Sequence, residues 1–373
     1  MVVSLEKIKI VAVIAAVALV SVGIAVIVTN NGGGKSSSGG TVTVTDYLGR
    51  EVTIASSERI VSAGSTPTAI LCGLGLSSSI VAASSDMTAY SVDPYVFGLT
   101  QDDFPQVITD GFESGKIKAL GQGYQMSAET MVSEECDLLI TDNYGKNQST
   151  WDALDALGVT YIVIPSSNTV VEGIYDKIEL IGKAVGRESE AERIVSEMKS
   201  AISKISDWSG SIVSNELNGQ KYNVALMMTA TIAIGWNYPQ GSVLDALHVN
   251  NVFSSVGTYA TVSKESIASA DPDVLIYQTL GMGDGVTDPV GYIASLYSDP
   301  IIGNVKAAEN GLIFTTIEGA KAVAGQANQD FVNAYALYGM FIYKDYLTFD
   351  IPDVFDSSNY ADYTELFWEM ING

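Results

Sequence analysis

The chain has 373 residues, 47% of them hydrophobic, enough for a large buried core and for about two domains. Its 43 acidic and 19 basic residues give a formal charge of −24, which excludes nucleic-acid binding because phosphate recognition needs a basic face. One histidine and two cysteines leave no material for a histidine-rich metal centre or a disulfide framework.

Residues 8–28 form an almost unbroken apolar run that begins beside Lys7 and Lys9, long enough to span a bilayer with the lysines on the cytoplasmic side. Residues 30–40 are a Gly/Ser tether. We therefore expect residues 1–29 to be an uncleaved membrane anchor, with secretion after signal cleavage as the alternative. No cysteine lies near the end of the apolar run, so a lipid attachment there is excluded. Either way the remainder is exported.

Residues 41–47 and 51–54 read as a hairpin, 59–63 as a strand, 66–76 as a helix and 80–83 as the next strand. The stretch 88–125 is rich in Tyr, Phe, Gly and Asp and reads as loops with one short helix. Then come a helix from 128, a strand at 137–141, a helix at 151–157 closed by Gly158, a strand at 160–164 and a helix at 171–185. Strands alternating with helices imply a largely parallel sheet.

At residues 189–205, Ala191, Ile194, Val195, Met198, Ile202 and Ile205 repeat at helical spacing. Ser189 and Glu192 have the form of a capping box, and the helix spans roughly 25 Å. The β/α pattern then restarts, with strands at 222–228, 274–277 and 312–316, helices at 242–247 and 328–347, and a final helix at 363–370. Across the central helix, Ser127, Glu129, Ser133, Asp137, Leu139 and Ile140 align without a gap on Ser263, Glu265, Ser269, Asp273, Leu275 and Ile276. Two related lobes on either side of a rigid connector explain that register. The expected architecture is α/β: two Rossmann-like lobes with mainly parallel sheets, 41–187 and 207–373, joined by a single long interlobe helix at 188–206.

Cys72 and Cys136 read as buried free thiols rather than a bridge, and His248, in an apolar helical stretch, reads as structural. There is no P-loop and no GxGxxG at a strand–helix junction, so nothing argues for an enzyme, a metal site or a cofactor. The loops expected after strand ends are aromatic: Tyr90, Tyr95, Tyr124, Tyr144, Trp236, Tyr238 and Tyr259. Such rings can hold a large, partly apolar ligand in a crevice between lobes.

The opening Asp46-Tyr-Leu-Gly49-Arg50, the strand Arg59-Ile60-Val61-Ser62, Ala119-Leu-Gly121, the two Ser-x-Glu helices, Gly241-Ser-Val-Leu with Asn251, and Pro272-Asp273-Val274 together form an ordered series. In that series the chain resembles the solute-binding proteins of ABC importers for iron chelates, haem and cobalamin, whose lobes are joined by one long helix. It departs from them at Cys136, where proline is usual, and at His248, in a stretch usually rich in glycine. The resemblance implies a monomeric extracytoplasmic protein that carries an iron chelate or corrinoid to a permease and its ATPase. It also implies cleft positions at Tyr124, Tyr259 and Glu318, and permease-docking carboxylates at Glu129 and Glu265. A membrane-anchored surface sensor or adhesion module with the same fold is the alternative.

The chain has only four arginines, Arg50, Arg59, Arg187 and Arg193, none evidently in a cleft loop. A dense anion such as a ferric catecholate would need their forked donors. A neutral chelate held by Tyr90, Tyr124, Tyr144, Trp236, Tyr238 and Tyr259 fits better.

Overall fold

The structure, a computed structural model, describes residues 41–85, 104, 106–121, 127–132, 135–166, 171–278, 280, 284–317, 329–356 and 359–372. The expected anchor and tether lie outside them. Among the described residues, no helix is long and apolar enough to cross a membrane.

Val42–Thr45 (β1) and Glu51–Ile54 (β2) pair antiparallel. Asp46, buried at the end of β1, makes this hairpin a clamp. Its carboxylate accepts from the Leu48 and Arg50 backbone N–H groups and from the Arg50 guanidinium. It also accepts from the Val163 N–H, while Arg50 lies 3.9 Å over the Tyr161 ring. A charge-assisted pair with a cation–π contact thus fastens the hairpin to the lobe it opens.

The first lobe follows as Ile60–Ala63 (β3), Ser65–Gly73 (α1), Ile80–Ala83 (β4), Gln106–Ser114 (α2) and Lys118–Ala119 (β5). It continues with Ala128–Met131 (α3), Leu138–Asp142 (β6), Gln148–Leu157 (α4), Tyr161–Ile164 (β7) and Glu172–Ala184 (α5). The sheet is parallel throughout, in the order β5-β4-β3-β6-β7. Its chain order reverses between β3 and β6. Such a switch point opens a crevice at the carboxyl ends of the strands.

The connector is Glu188–Asn215 (α6), 28 residues long. Gly186, at φ 70°, turns the chain out of α5, and Arg187 donates its N–H to Gly182 O at 2.7 Å while serving as the N-cap of α6. Ser189 is therefore already inside the helix, and the expected capping box does not form. The helix also runs past Ile205 to Asn215, because Ser209, Ile212 and Val213 continue the buried stripe. Trp208 packs edge-on against Tyr343 and Phe367, with centroids 5.5 and 5.1 Å away.

The second lobe holds Asn223–Met227 (β8), Ile232–Ile234 (β9), Pro239–Ala246 (α7), Asn250–Asn251 (β10), Tyr259–Thr261 (β11), Lys264–Ala270 (α8) and Val274–Tyr277 (β12). Pro289–Leu296 (α9), Lys306–Glu309 (α10), Ile313–Thr316 (β13), Val332–Ile342 (α11), Val354–Phe355 (β14) and Tyr360–Asn372 (α12) complete it. Its sheet runs β11-β9-β8-β12-β13-β14, with β10 also on β8. Strands β8, β12, β13 and β14 are parallel, and the order switches between β8 and β12. The expected helix at 328–347 is in fact α11 flanked by single 3₁₀ turns. Fully buried on all sides, α11 stacks Phe341 on Phe314 at 4.7 Å.

The repeat seen in the sequence has a physical counterpart. Asp137 donates its N–H to Arg59 O and accepts from the Arg59 N–H, fixing the start of β3. Asp273 donates to Asn223 O and accepts from the Asn223 N–H, fixing the start of β8. Each aspartate closes the same two-bond link in its own lobe.

Candidate ligand-binding cleft

At the switch point of the first lobe, Asp142 ends β6 beside Gly64, which follows β3. A Cβ on Gly64 would stand 2.7 Å from Asp142 Oδ2, so glycine is what lets the two strand ends approach. Asp142 Oδ1 accepts from the Tyr144 N–H at 3.0 Å and from Lys146 Nζ at 3.2 Å, and Lys146 also donates to Tyr144 O. Asn143 Oδ1 accepts from the Ser166 N–H at 2.6 Å. A loop braced in this way projects Tyr144, which is 63% exposed. Lys177 of α5 is buried, and burial lowers its pKa to about 8 against the opposing pull of Asp142.

In the second lobe β9 leaves through Gly235, whose N–H donates to Thr258 O, while the Asn237 N–H donates to Gly257 O. Asn251 Nδ2 donates to Ile234 O, and the Gly241 N–H donates to Tyr238 O. The glycine and asparagine of the sequence motif thus shape the loop that carries Trp236 and Tyr238. Trp236 is 45% and Tyr259 58% exposed, while Tyr238 is half-buried. Tyr238 and Tyr259 meet edge to face. Burial raises the Tyr238 pKa, and neighbouring Tyr259 and Tyr144 push the same way. Tyr144 of the first lobe is thus within electrostatic reach of Tyr238, and Tyr238 stays protonated.

Of the expected cleft residues, the structure brings together Tyr144, Tyr238 and Tyr259, with Trp236 on the Tyr238 loop. Tyr90, Tyr124 and Glu318 lie outside the described residues. The sequence reading missed Asp142 and Lys177. The signal for Lys177 was a charge on the apolar face of α5, among Ile174, Ile178 and Ile181.

Glu129 and Glu265 occupy matched places in α3 and α8. Ser127 Oγ accepts from the Thr130 N–H at 3.3 Å, and Ser263 Oγ from the Ser266 N–H at 3.2 Å. Each exposed carboxylate accepts from its own backbone N–H and its capping serine, which lowers its pKa.

His248 lies away from these loops, beyond the end of α7 rather than within a helix, at φ 58°. Its Nε2 is 3.1 Å from both Ser206 Oγ and Ser206 O of α6. Cys72 and Cys136 are free thiols, the first buried and the second only half-buried. Among the described residues, no group of three or more His, Cys, Asp or Glu side chains could hold a metal ion.

The family model described as "Periplasmic binding protein" matches residues 60–318. The chain belongs to that family of binding proteins, which are not enzymes. It is 24% identical over 239 residues to an uncharacterized ABC transporter substrate-binding lipoprotein, YvrC, of Bacillus subtilis, covering 63% of this chain and 68% of that one. Over 159 residues it is 26% identical to a cobalamin-binding protein of Halobacterium salinarum, covering 42% of this chain and 41% of that protein. Among solved structures, the apo form of the periplasmic haem-binding protein RhuT from Roseiflexus sp. superposes with a TM-score of 0.58 at 19% identity, covering 77% of this chain and 98% of that one. At that identity the likeness is one of fold.

Proposed function

We propose that the chain captures a metal chelate, an iron chelate or a corrinoid, between its lobes and delivers it to the permease of an ABC importer. The observation that carries this reading is the Tyr238–Tyr259 pair of one lobe, with Tyr144 of the other lobe close enough to act electrostatically on Tyr238. Neutral phenols and the Trp236 face suit a large ligand of low charge. Tyr90, Tyr124 and Glu318 complete the site in this reading.

Three of the four arginines support the choice. Arg50 is held by Asp46, Arg59 donates to Glu135 O, and Arg193 is paired with Glu190 and Glu197. These guanidiniums serve their own lobes, which disfavours a densely anionic ferric catecholate. Haem ranks below the other ligands because the one imidazole of the chain turns to α6. The relative named as a cobalamin-binding protein supports the corrinoid alternative.

Glu129 and Glu265, one on each lobe, are the docking carboxylates for basic residues of the permease. The protein works as a monomer on the extracytoplasmic face, held by residues 1–29. The Bacillus relative is named as a lipoprotein, whereas the cysteines of this chain stand at 72 and 136, far from the apolar run. Native mass spectrometry and an absorbance scan of the protein, with and without cyanocobalamin, a ferric hydroxamate and haem, test the reading. A mass shift and a bound chromophore with either of the first two are expected.

A further inference from the structure

Of the buried side-chain atoms in the second lobe that lack a hydrogen-bond partner, two lie at its switch point. Thr229 follows β8 and is 6% exposed, and Gln278 follows β12 and is 3% exposed. Thr229 Oγ1 and Gln278 Oε1 are unpartnered. The two strands are neighbours in register, Met227 opposite Tyr277, and the Gln278 N–H donates to Met227 O at 2.7 Å. Asp284 joins the loops that follow, with Oδ2 accepting from the Ala230 N–H and Oδ1 from the Val286 N–H. Thr316 of β13 donates its hydroxyl to Gln278 O and so fixes the Gln278 backbone. The Gln278 backbone is satisfied; the two side-chain oxygens are not.

A buried orphan oxygen costs stability, and a native fold that keeps one after each of two neighbouring strands at a switch needs a reason. The first lobe offers a contrast, because the ends of β3 and β6 are charged, with Asp142 held by Lys146 and close to Lys177. At the switch of the second lobe the orphaned oxygens are neutral, and the Asp284 carboxylate beside them accepts from backbone N–H groups. A glutamine carbonyl oxygen only accepts, and a threonine hydroxyl accepts or donates. The complementary ligand group is therefore an N–H or O–H donor without a negative charge. A carboxylate or phosphate would meet the Gln278 oxygen lone pair to lone pair.

We propose that Thr229 and Gln278 form a specificity subsite for a primary amide or hydroxyl on the periphery of the bound chelate. This rests on the chelate-binding reading above and adds which part of the ligand the second lobe selects.

The test uses the full chain in detergent, as wild type, Thr229→Val and Gln278→Met. The probes are cyanocobalamin, its monocarboxylate derivatives in which one peripheral amide has become a carboxylate, and a ferric hydroxamate. Either substitution is expected to weaken cyanocobalamin binding about tenfold, or ferric hydroxamate binding if that is the chelate taken up, the scale of a lost hydrogen bond in a dry site. For cyanocobalamin, the substitutions are also expected to abolish wild-type discrimination against at least one carboxylate derivative. The unliganded variants should melt no lower than wild type, because an unsatisfied polar atom has been removed. A chelate that binds wild type and both variants equally well overturns the subsite alone. A fall of several degrees in Tm for the unliganded variants overturns it too, by showing that the oxygens serve the fold. A wild-type chain that takes up no chelate refutes the function reading and the subsite with it.

Discussion

The Tyr238 and Tyr259 rings meet at 87° with centroids 6.3 Å apart, and Tyr144 of the other lobe lies within electrostatic reach of Tyr238. A ring laid against an aromatic or conjugated ligand is worth about 0.5–1.5 kcal/mol beyond the area it buries. Tyr259→Ala should therefore weaken chelate binding roughly tenfold. Tyr259 is 58% exposed, so its loss should lower stability only by the Tyr238 pair it breaks, about 1 kcal/mol. Calorimetric titration beside a denaturation curve measures both. Full affinity in the variant would remove Tyr259 from the site.

Glu129 and Glu265 are exposed, and among the described residues their hydrogen bonds lie within their own helix caps. The double variant Glu129→Gln, Glu265→Gln should keep its ligand affinity and lose stimulation of the transporter ATPase in proteoliposomes. Normal stimulation by the double variant is the result that rules out docking through these groups.

Asp330 is 9% exposed, and burial raises its pKa to about 7, against an unfolded value of about 3.9. Between those values the folded state binds more protons than the unfolded chain, so stability falls as pH rises. Relative to its own stability near pH 4, Asp330→Asn should keep on the order of 3 kcal/mol more than wild type does at pH 7.5. Urea unfolding at the two pH values decides it, and an equal difference at both would contradict the assignment.

His248 joins the end of α7 to the connector through Ser206. Asparagine tolerates its left-handed backbone, so His248→Asn should cost roughly 1–2 kcal/mol through the lost hydrogen bond and packing and leave ligand affinity within about twofold. An unchanged urea midpoint would show that the bracket carries no stability.

Much of this fold was legible because hydrophobic period and local chemistry agree. The register of Asp137 with Asp273 announced two lobes, and both aspartates make the same backbone link. Where the reading went astray, tertiary contacts had overridden local signals. Residues 206–211, Ser-Asp-Trp-Ser-Gly-Ser, look like a helix end. The helix continues because Trp208 is packed among aromatics and Gly210 makes room for His248, whose Nε2 would lie 3.0 Å from a Cβ there. Ser189 looked like a cap, yet the tight turn at Gly186 starts the helix earlier. In the site, exposed aromatics in loops were readable as types. Thr229 and Gln278 were not, since a polar residue after a strand reads as an ordinary loop residue until its burial is known.

Residues 1–29 should remain on the mature protein and keep it with the membrane after a high-salt wash. N-terminal sequencing that begins near Asn30, with the protein in the supernatant, would instead show a cleaved signal.

The central claim is capture of a chelate of low charge between two aromatic-lined lobes. Its most direct test is a titration of the protein with cyanocobalamin, a ferric hydroxamate, haem and a ferric tricatecholate, followed by intrinsic tryptophan fluorescence, since Trp236 stands on the loop that carries Tyr238. The account predicts saturable quenching by the corrinoid or the hydroxamate complex and a far weaker response to the tricatecholate. Tight binding of the tricatecholate, with no response to the corrinoid or the hydroxamate complex, would contradict it.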